Sequence, residues 1–227
     1  MASPPPPPAI LPGAVERLGV QRFDEAAAAL ERPFAEPLEL LLRRDGEARN
    51  VIAPPHCRAL LDLRQHIVGT RPAIDWGVLQ QRLADCRALQ WLTRAAPPLH
   101  SALPVDLAAA RDTRLWPAQA LRPAVSPDEM AAIQARPAAS LHEFSGRRQW
   151  RFVASAGQQG QVLQLRGPAY ELQLQWLARA DFDGDGWEDW LLNWRARAVD
   201  GSWQSSRNLL LTRKPSRAGS FSVRVSE

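Results

Sequence analysis

Leu172-Gln173-Leu174-Gln175-Trp176-Leu177-Ala178-Arg179-Ala180-Asp181-Phe182-Asp183-Gly184-Asp185-Gly186-Trp187-Glu188-Asp189-Trp190-Leu191-Leu192-Asn193-Trp194 is the stretch from which the fold is read. Before its acidic centre, Leu172, Leu174, Trp176, Ala178 and Ala180 alternate with Glu171, Gln173, Gln175 and Arg179. Beyond it, Trp190, Leu192, Trp194, Ala196 and Ala198 alternate with Asn193, Arg195 and Arg197. Apolar residues at every second position mark a strand with one face buried. The stretch is therefore two half-buried strands joined by a loop.

Within the loop, Asp181, Asp183, Asp185 and Asp189 stand at the first, third, fifth and ninth positions, with Gly184 and Gly186 between them. Two carboxylates ~4 Å apart repel by about 1 kcal/mol in water and by more near a protein surface. A hard divalent cation removes that repulsion, and Ca²⁺ collects roughly six to eight oxygens from loops of this composition. Gly186 falls where the chain must turn sharply about the ion. The spacing predicts a calcium site built from the side chains of Asp181, Asp183, Asp185 and Asp189 and the backbone carbonyl of Trp187. A metal-free acidic turn is the alternative, since Asp-Gly-Asp-Gly is also good hairpin chemistry. An EF-hand is excluded. Counted from Asp181, the twelfth residue is Leu192, where that loop needs a bidentate Glu, and the flanks have strand rather than helix period.

The run Asp-Phe-Asp-Gly-Asp-Gly-Trp-Glu-Asp-Trp-Leu-Leu (181–192) resembles the calcium loop of FG-GAP (integrin-type propeller) repeats. There the pattern Asp-x-Asp-x-Asp-Gly-x-x-Asp joins two strands of a blade. The resemblance covers only this short run of the 227 residues. It implies Asp181, Asp183, Asp185 and Asp189 as ligands with Trp187 through its carbonyl, and a structural rather than chemical role for the ion. No second copy of the loop occurs in the sequence, and a propeller needs several blades to close. The resemblance thus speaks for calcium and not for a propeller.

The surroundings set the class of protein. A hydrophobic content of 45% fits a globular chain long enough to bury a sizeable core. The net charge of +4 is carried by arginines, with Lys214 the only lysine, and these are spread along the chain rather than gathered in a run. That distribution argues against a nucleic-acid partner. Nine tryptophans read as core packing on strand faces. No apolar run approaches the roughly 18 residues a membrane span needs. Cys57 and Cys86 both fall on apolar helix faces and are expected to pair, which fits an oxidising compartment; two buried thiols in a cytosolic protein are the alternative. Free Ca²⁺ is plentiful outside the cytosol. A periplasmic or secreted location is therefore expected, with any signal peptide removed.

In chain order, residues 1–12 read as a proline-rich leader that packs little. Residues 13–146 read as a helical region. Helical spacing is seen from Gly13 to Glu31, from Ala35 to Arg44, from His56 to Val68 and, most clearly, from Asp75 to Arg94. The last carries the stripe Trp76, Leu79, Leu83, Cys86, Leu89 and Leu92, and a turn at Gly69-Thr70-Arg71-Pro72 sets it antiparallel to the helix before it. A short helix is expected near Asp106–Asp112. Capping boxes at Ser126-Pro127-Asp128-Glu129 and Ser140-Leu141-His142-Glu143 start two more. Residues 147–227 switch to period two. Strands are expected at Trp150–Phe152, Val162–Leu165, Tyr170–Ala180, Asp189–Ala198, Asn208–Arg213 and Phe221–Val225, with a hairpin turn at Asp200-Gly201. The fold class is α+β: an antiparallel β-meander of five or six strands whose apolar face is covered by the helical part, the whole forming one compact unit.

No enzyme signature is evident. The four histidines have no zinc spacing, and His56 and Cys57, as sequence neighbours on a helix, point to different faces. No nucleophile elbow, phosphate loop or dinucleotide fingerprint is present. The leading expectation is an exported calcium-binding protein that acts by binding another protein, for instance as an immunity or inhibitor protein of a secreted toxin or as a cell-envelope accessory. The rivals are a hydrolase whose calcium-supported site uses Glu188 and His142, with Glu188 otherwise an exposed strand residue, and a metal-free cytosolic adaptor.

Overall fold

The structure is a computed structural model that describes residues 5–44, 47–121, 127–136, 139–145, 150–153, 160–167, 169–214 and 220–225. In chain order the strands are β1 (Ala9–Ile10), β2 (Glu39–Arg44), β3 (Glu47–Ile52), β4 (Ile67–Arg71), β5 (Arg151–Val153), β6 (Val162–Arg166), β7 (Tyr170–Ala180), β8 (Asp189–Ala198), β9 (Gln204–Thr212) and β10 (Ser222–Val225). The helices are α1 (Pro12–Leu18), α2 (Ala26–Leu30), α3 (Cys57–Leu63), α4 (Trp76–Leu92), α5 (Ala118–Leu121), α6 (Pro127–Gln134) and α7 (Leu141–Ser145).

The expected α+β class and meander are present. The large sheet runs β10-β9-β8-β7-β6-β5, every neighbour antiparallel. Its two longest strands begin and end where alternation does, at Tyr170–Ala180 and Asp189–Ala198. α4 also forms as read, and α7 carries the reciprocal Ser140–Glu143 capping box. Ser126 lies outside the described residues, but α6 begins at Pro127 as expected.

Three expectations in the N-terminal part are corrected. The segment expected to be a helix over Ala35–Arg44 is the strand β2, which pairs with β3 and β4 in a second sheet of order β3-β2-β4. Leu38, Leu40 and Leu42 are the buried residues there, a period of two that three consecutive leucines disguise. Asp45-Gly46, expected to stop that helix, lies outside the described residues. The helix from His56 ends at Leu63, and Gly69-Thr70-Arg71 belong to β4 rather than to a turn. The first helix is two, parted at Gly19, whose φ of 65° ends α1 in a left-handed cap. The proline-rich leader also does more than trail: Ala9 and Ile10 pair with Arg179 and Ala178, on the edge of β7 beyond the end of β6.

The sheet is covered on both faces, not one. On the first face, Leu172, Leu174, Trp176, Trp190, Leu192, Trp194, Leu209 and Leu211 meet Leu107, Trp116, Leu121 and Leu141 from the segment after α4. The buried indoles find acceptors: Trp116 Nε1 donates to the Ala110 carbonyl at 2.8 Å and Trp194 Nε1 to the Leu121 carbonyl at 2.9 Å. On the second face, Leu177, Ala178, Ala180, Leu191 and Leu210 meet α1–α4 through Leu18, Leu30, Leu60, Leu89 and Leu92. Trp76, expected in the buried stripe, is 43% exposed at the start of α4.

β7 reaches both cores because of a bulge. Trp176 pairs with Leu192, but Ala178 pairs with Leu191, so Leu177 is surplus to the ladder. From that point the strand is out of phase with its first half. Ala178 and Ala180 therefore lie with the N-terminal core, and not on the tryptophan face where strict alternation would put them.

Candidate metal centre

The loop between β7 and β8 is built from the ends of those strands and from the segment after α4. Asp181 exchanges two backbone hydrogen bonds with Ala96, each 2.9 Å, and the Gly186 carbonyl accepts from Leu99 and His100 at 2.8 and 3.0 Å. The Glu188 N–H donates to the His100 carbonyl at 2.8 Å, and the His100 ring lies 5.1 Å from that of Trp187. Phe182, buried, points into the N-terminal core with its ring 6.5 Å from Phe23. The bracing segment around Pro97-Pro98 gives no sequence signal, because nothing in its composition says what it will lie against.

Gly184 and Gly186 have φ of 79° and 82°, a region that costs other residues about 1–2 kcal/mol. The turn they permit aims N–H groups at the carboxylates. Asp181 accepts from Gly184 at 2.7 Å and from Gly186 at 2.8 Å; Asp185 accepts from Trp187 at 2.8 Å; Asp189 accepts from Phe182 at 3.0 Å and from the Thr212 hydroxyl.

One carboxylate oxygen from each of Asp181, Asp183 and Asp189 lies within 4.8 Å of the other two. Calcium–oxygen bonds are about 2.3–2.6 Å, so oxygens sharing an ion lie within about 5 Å of each other. The group can therefore hold a metal ion, and its all-oxygen character suits a hard cation rather than zinc. Asp189 is 1% exposed. Burial pushes its carboxyl up to about 6, against the hydrogen bonds from Thr212 and Phe182 and with the help of Asp183 and Asp185. Without a cation, this carboxylate is poorly compensated.

Asp185 stands apart from these three, with its Oδ2 2.6 Å from Lys214 Nζ. Arg224 Nη1 lies 3.0 Å from Asp183. The Trp187 carbonyl accepts no hydrogen bond among the described residues. Glu188 is buried, not an exposed strand residue as expected, and accepts from the Trp190 indole at 3.2 Å. Among the described residues no hydrogen bond or ion pair joins it to His142, which is exposed on α7. Cys57 and Cys86 form a disulfide that ties α3 to α4.

The chain matches no protein-family model, no curated protein and no solved structure.

Proposed function

We propose that this is an exported calcium-binding protein that acts by binding another protein, with the ion fixing the β7–β8 corner instead of taking part in chemistry. The observation that carries the reading is the convergence of Asp181, Asp183 and Asp189 on one point at a strand corner. The resemblance of residues 181–192 to the FG-GAP loop supports calcium as the ion, with Asp185 and the Trp187 carbonyl joining the coordination. A large oxygen set that includes carbonyls also favours Ca²⁺ over Mg²⁺, which keeps most of its waters. The disulfide supports an oxidising compartment such as the periplasm. The exposed apolar residues Ile74, just before α4, and Trp76 and Val78, in its first turn, support a protein partner; an immunity or inhibitor role is one such function.

The second reading is a metal-free turn in which Lys214 and Arg224 neutralise Asp185 and Asp183. Calorimetric titration of chelator-stripped protein separates the two. Saturable Ca²⁺ binding that Asp183→Ala abolishes is the expected result. Absence of heat with wild type would establish the metal-free turn. Capture of a partner from the native cell envelope, with and without chelator, tests the binding role.

A further inference from the structure

α4 lies along the second face of the sheet. Its second half packs apolar side chains against Leu191 and Leu210, where the second face of the sheet is apolar. Its first half packs on β9, with Gln204 against Gly77 and the Ser206 hydroxyl donating to Gln81 at 2.9 Å. A cleft of about 1050 Å³ opens beside it over the polar part of the same face, at Gln173 and Arg195. Six arginines line it, against two carboxylates, Asp85 and Glu171. Glu171 is shared by Arg197 and Arg166, at 2.5 and 2.6 Å. Asp85 takes Arg17 Nε at 2.5 Å, while Arg17 Nη1 donates to Asn193 at 2.7 Å and Nη2 is buried without a partner. Arg195 makes no hydrogen bond or ion pair among the described residues, although its charge is felt by both Arg17 and Asp85. Arg82 donates to the Glu36 carbonyl at 3.1 Å and covers the Phe34 ring at 4.4 Å, with no carboxylate in contact. Positive charge at the floor of the cleft is thus in excess.

A second opening of about 340 Å³ shares Arg17, Gln81, Asp85 and Arg195 with the cleft and adds Glu16 and Gln175, so the cleft continues past the Arg17–Asp85 pair towards a carboxylate at its far end. An open-ended groove suits a chain better than a compact molecule. Phe34 is the aromatic side chain among its lining residues, and Arg82 already covers its face, which leaves no platform for stacking a nucleobase. Gln164, Gln173 and Gln204 make no side-chain hydrogen bonds among the described residues, and each offers the paired donor and acceptor that a peptide group requires. Val78 belongs both to the cleft wall and to the exposed apolar set at the start of α4, so the groove runs into a surface that suits a folded partner.

We propose that this cleft binds an extended acidic segment of a protein partner, its carboxylates received by Arg82 and Arg195. The proposal rests on the reading of the chain as one that binds another protein, and adds where and by what chemistry.

The test is fluorescence polarisation of a labelled hexaglutamate peptide titrated with the full chain at low ionic strength. Saturable binding is expected, weakened about two- to fivefold by Arg195→Ala and by Arg82→Ala, the loss typical of one charge–charge contact. Both variants should melt like wild type. Arg114→Ala, on an exposed arginine outside the cleft, should bind as wild type does. Equal loss with Arg114→Ala, equal binding of hexaglutamine, or tighter binding of an oligogalacturonate would each overturn the assignment. A partner captured by wild type and retained undiminished by Arg195→Ala would sink the cleft while leaving the protein-binding reading intact. Arginine-dependent hexaglutamate binding with no partner captured would do the reverse.

Discussion

At Gly186 a single hydrogen atom decides the shape of the loop. Its φ of 82° is a left-handed conformation, and that alone sets the demand, since an added Cβ would sit at ordinary contact distance, 3.5 Å, from Leu99. Gly186→Ala is expected to cost about 1–2 kcal/mol, and to lower affinity for the proposed calcium ion by turning the Gly186 N–H away from Asp181; paired thermal melts in calcium and in chelator measure both. Gly167 is demanding for a different reason. A Cβ there would come within 2.7 Å of the Trp150 ring, so Gly167→Ala must displace a buried indole, at about 1–3 kcal/mol. Charge at the residue scale is clearest at Glu171. Hydrogen bonds from Arg197 and then Arg166 hold its carboxyl below the ordinary 4.5. A lowered folded-state value stabilises the fold above the unfolded-state value, and that contribution is lost as pH falls through the lower one. The melting-temperature gap between wild type and Glu171→Gln should therefore be present at pH 7 and close on acidification below 4.5. A gap that widened in acid would contradict the assignment.

Among the elements, those legible in the sequence were the ones whose period survives folding. β7 and β8 alternate because one face meets a wall of tryptophan and leucine, and α4 shows its stripe because its second half lies flat on a core. β2 was illegible because Leu40-Leu41-Leu42 satisfies either period, and pairing with β3 and β4 decides between them. β1 could not be seen at all: two residues after a run of prolines carry no pattern, and the free edge of β7 makes them a strand. The acidic loop announced its residues through spacing, but not the partners of Asp185 and Asp183, which come from Lys214 and Arg224 far along the chain. The pairing of Cys57 and Cys86 was legible from their places on the apolar faces of two successive helices, and α3 and α4 lying side by side bring it about. Replacing both with Ala should lower stability by ~3 kcal/mol on the chain-entropy account, read by denaturant melts of oxidised protein.

Over the whole molecule, one sheet carries the candidate metal centre at one end and the arginine cleft at the other, with separate cores on its two faces. The groups of the cleft, from Arg17 to Gln204, are scattered through the sequence, and the packing of α4 beside the polar part of the sheet assembles them. The bulge in β7 has a consequence for how this arrangement tolerates changes in chain length. Because pairing resumes at Ala178–Leu191, excising Leu177 would leave each later partnership in place and make the ladder continuous, for the loss of one buried side chain. Inserting a residue beside it would do the opposite, rotating Ala180 towards the tryptophans and parting Asp181 from Asp189. The shortened chain should keep the response to calcium proposed for the wild type and the lengthened one should lose it, so that the register of β7 against β8, with every acidic residue still present, decides whether the site forms.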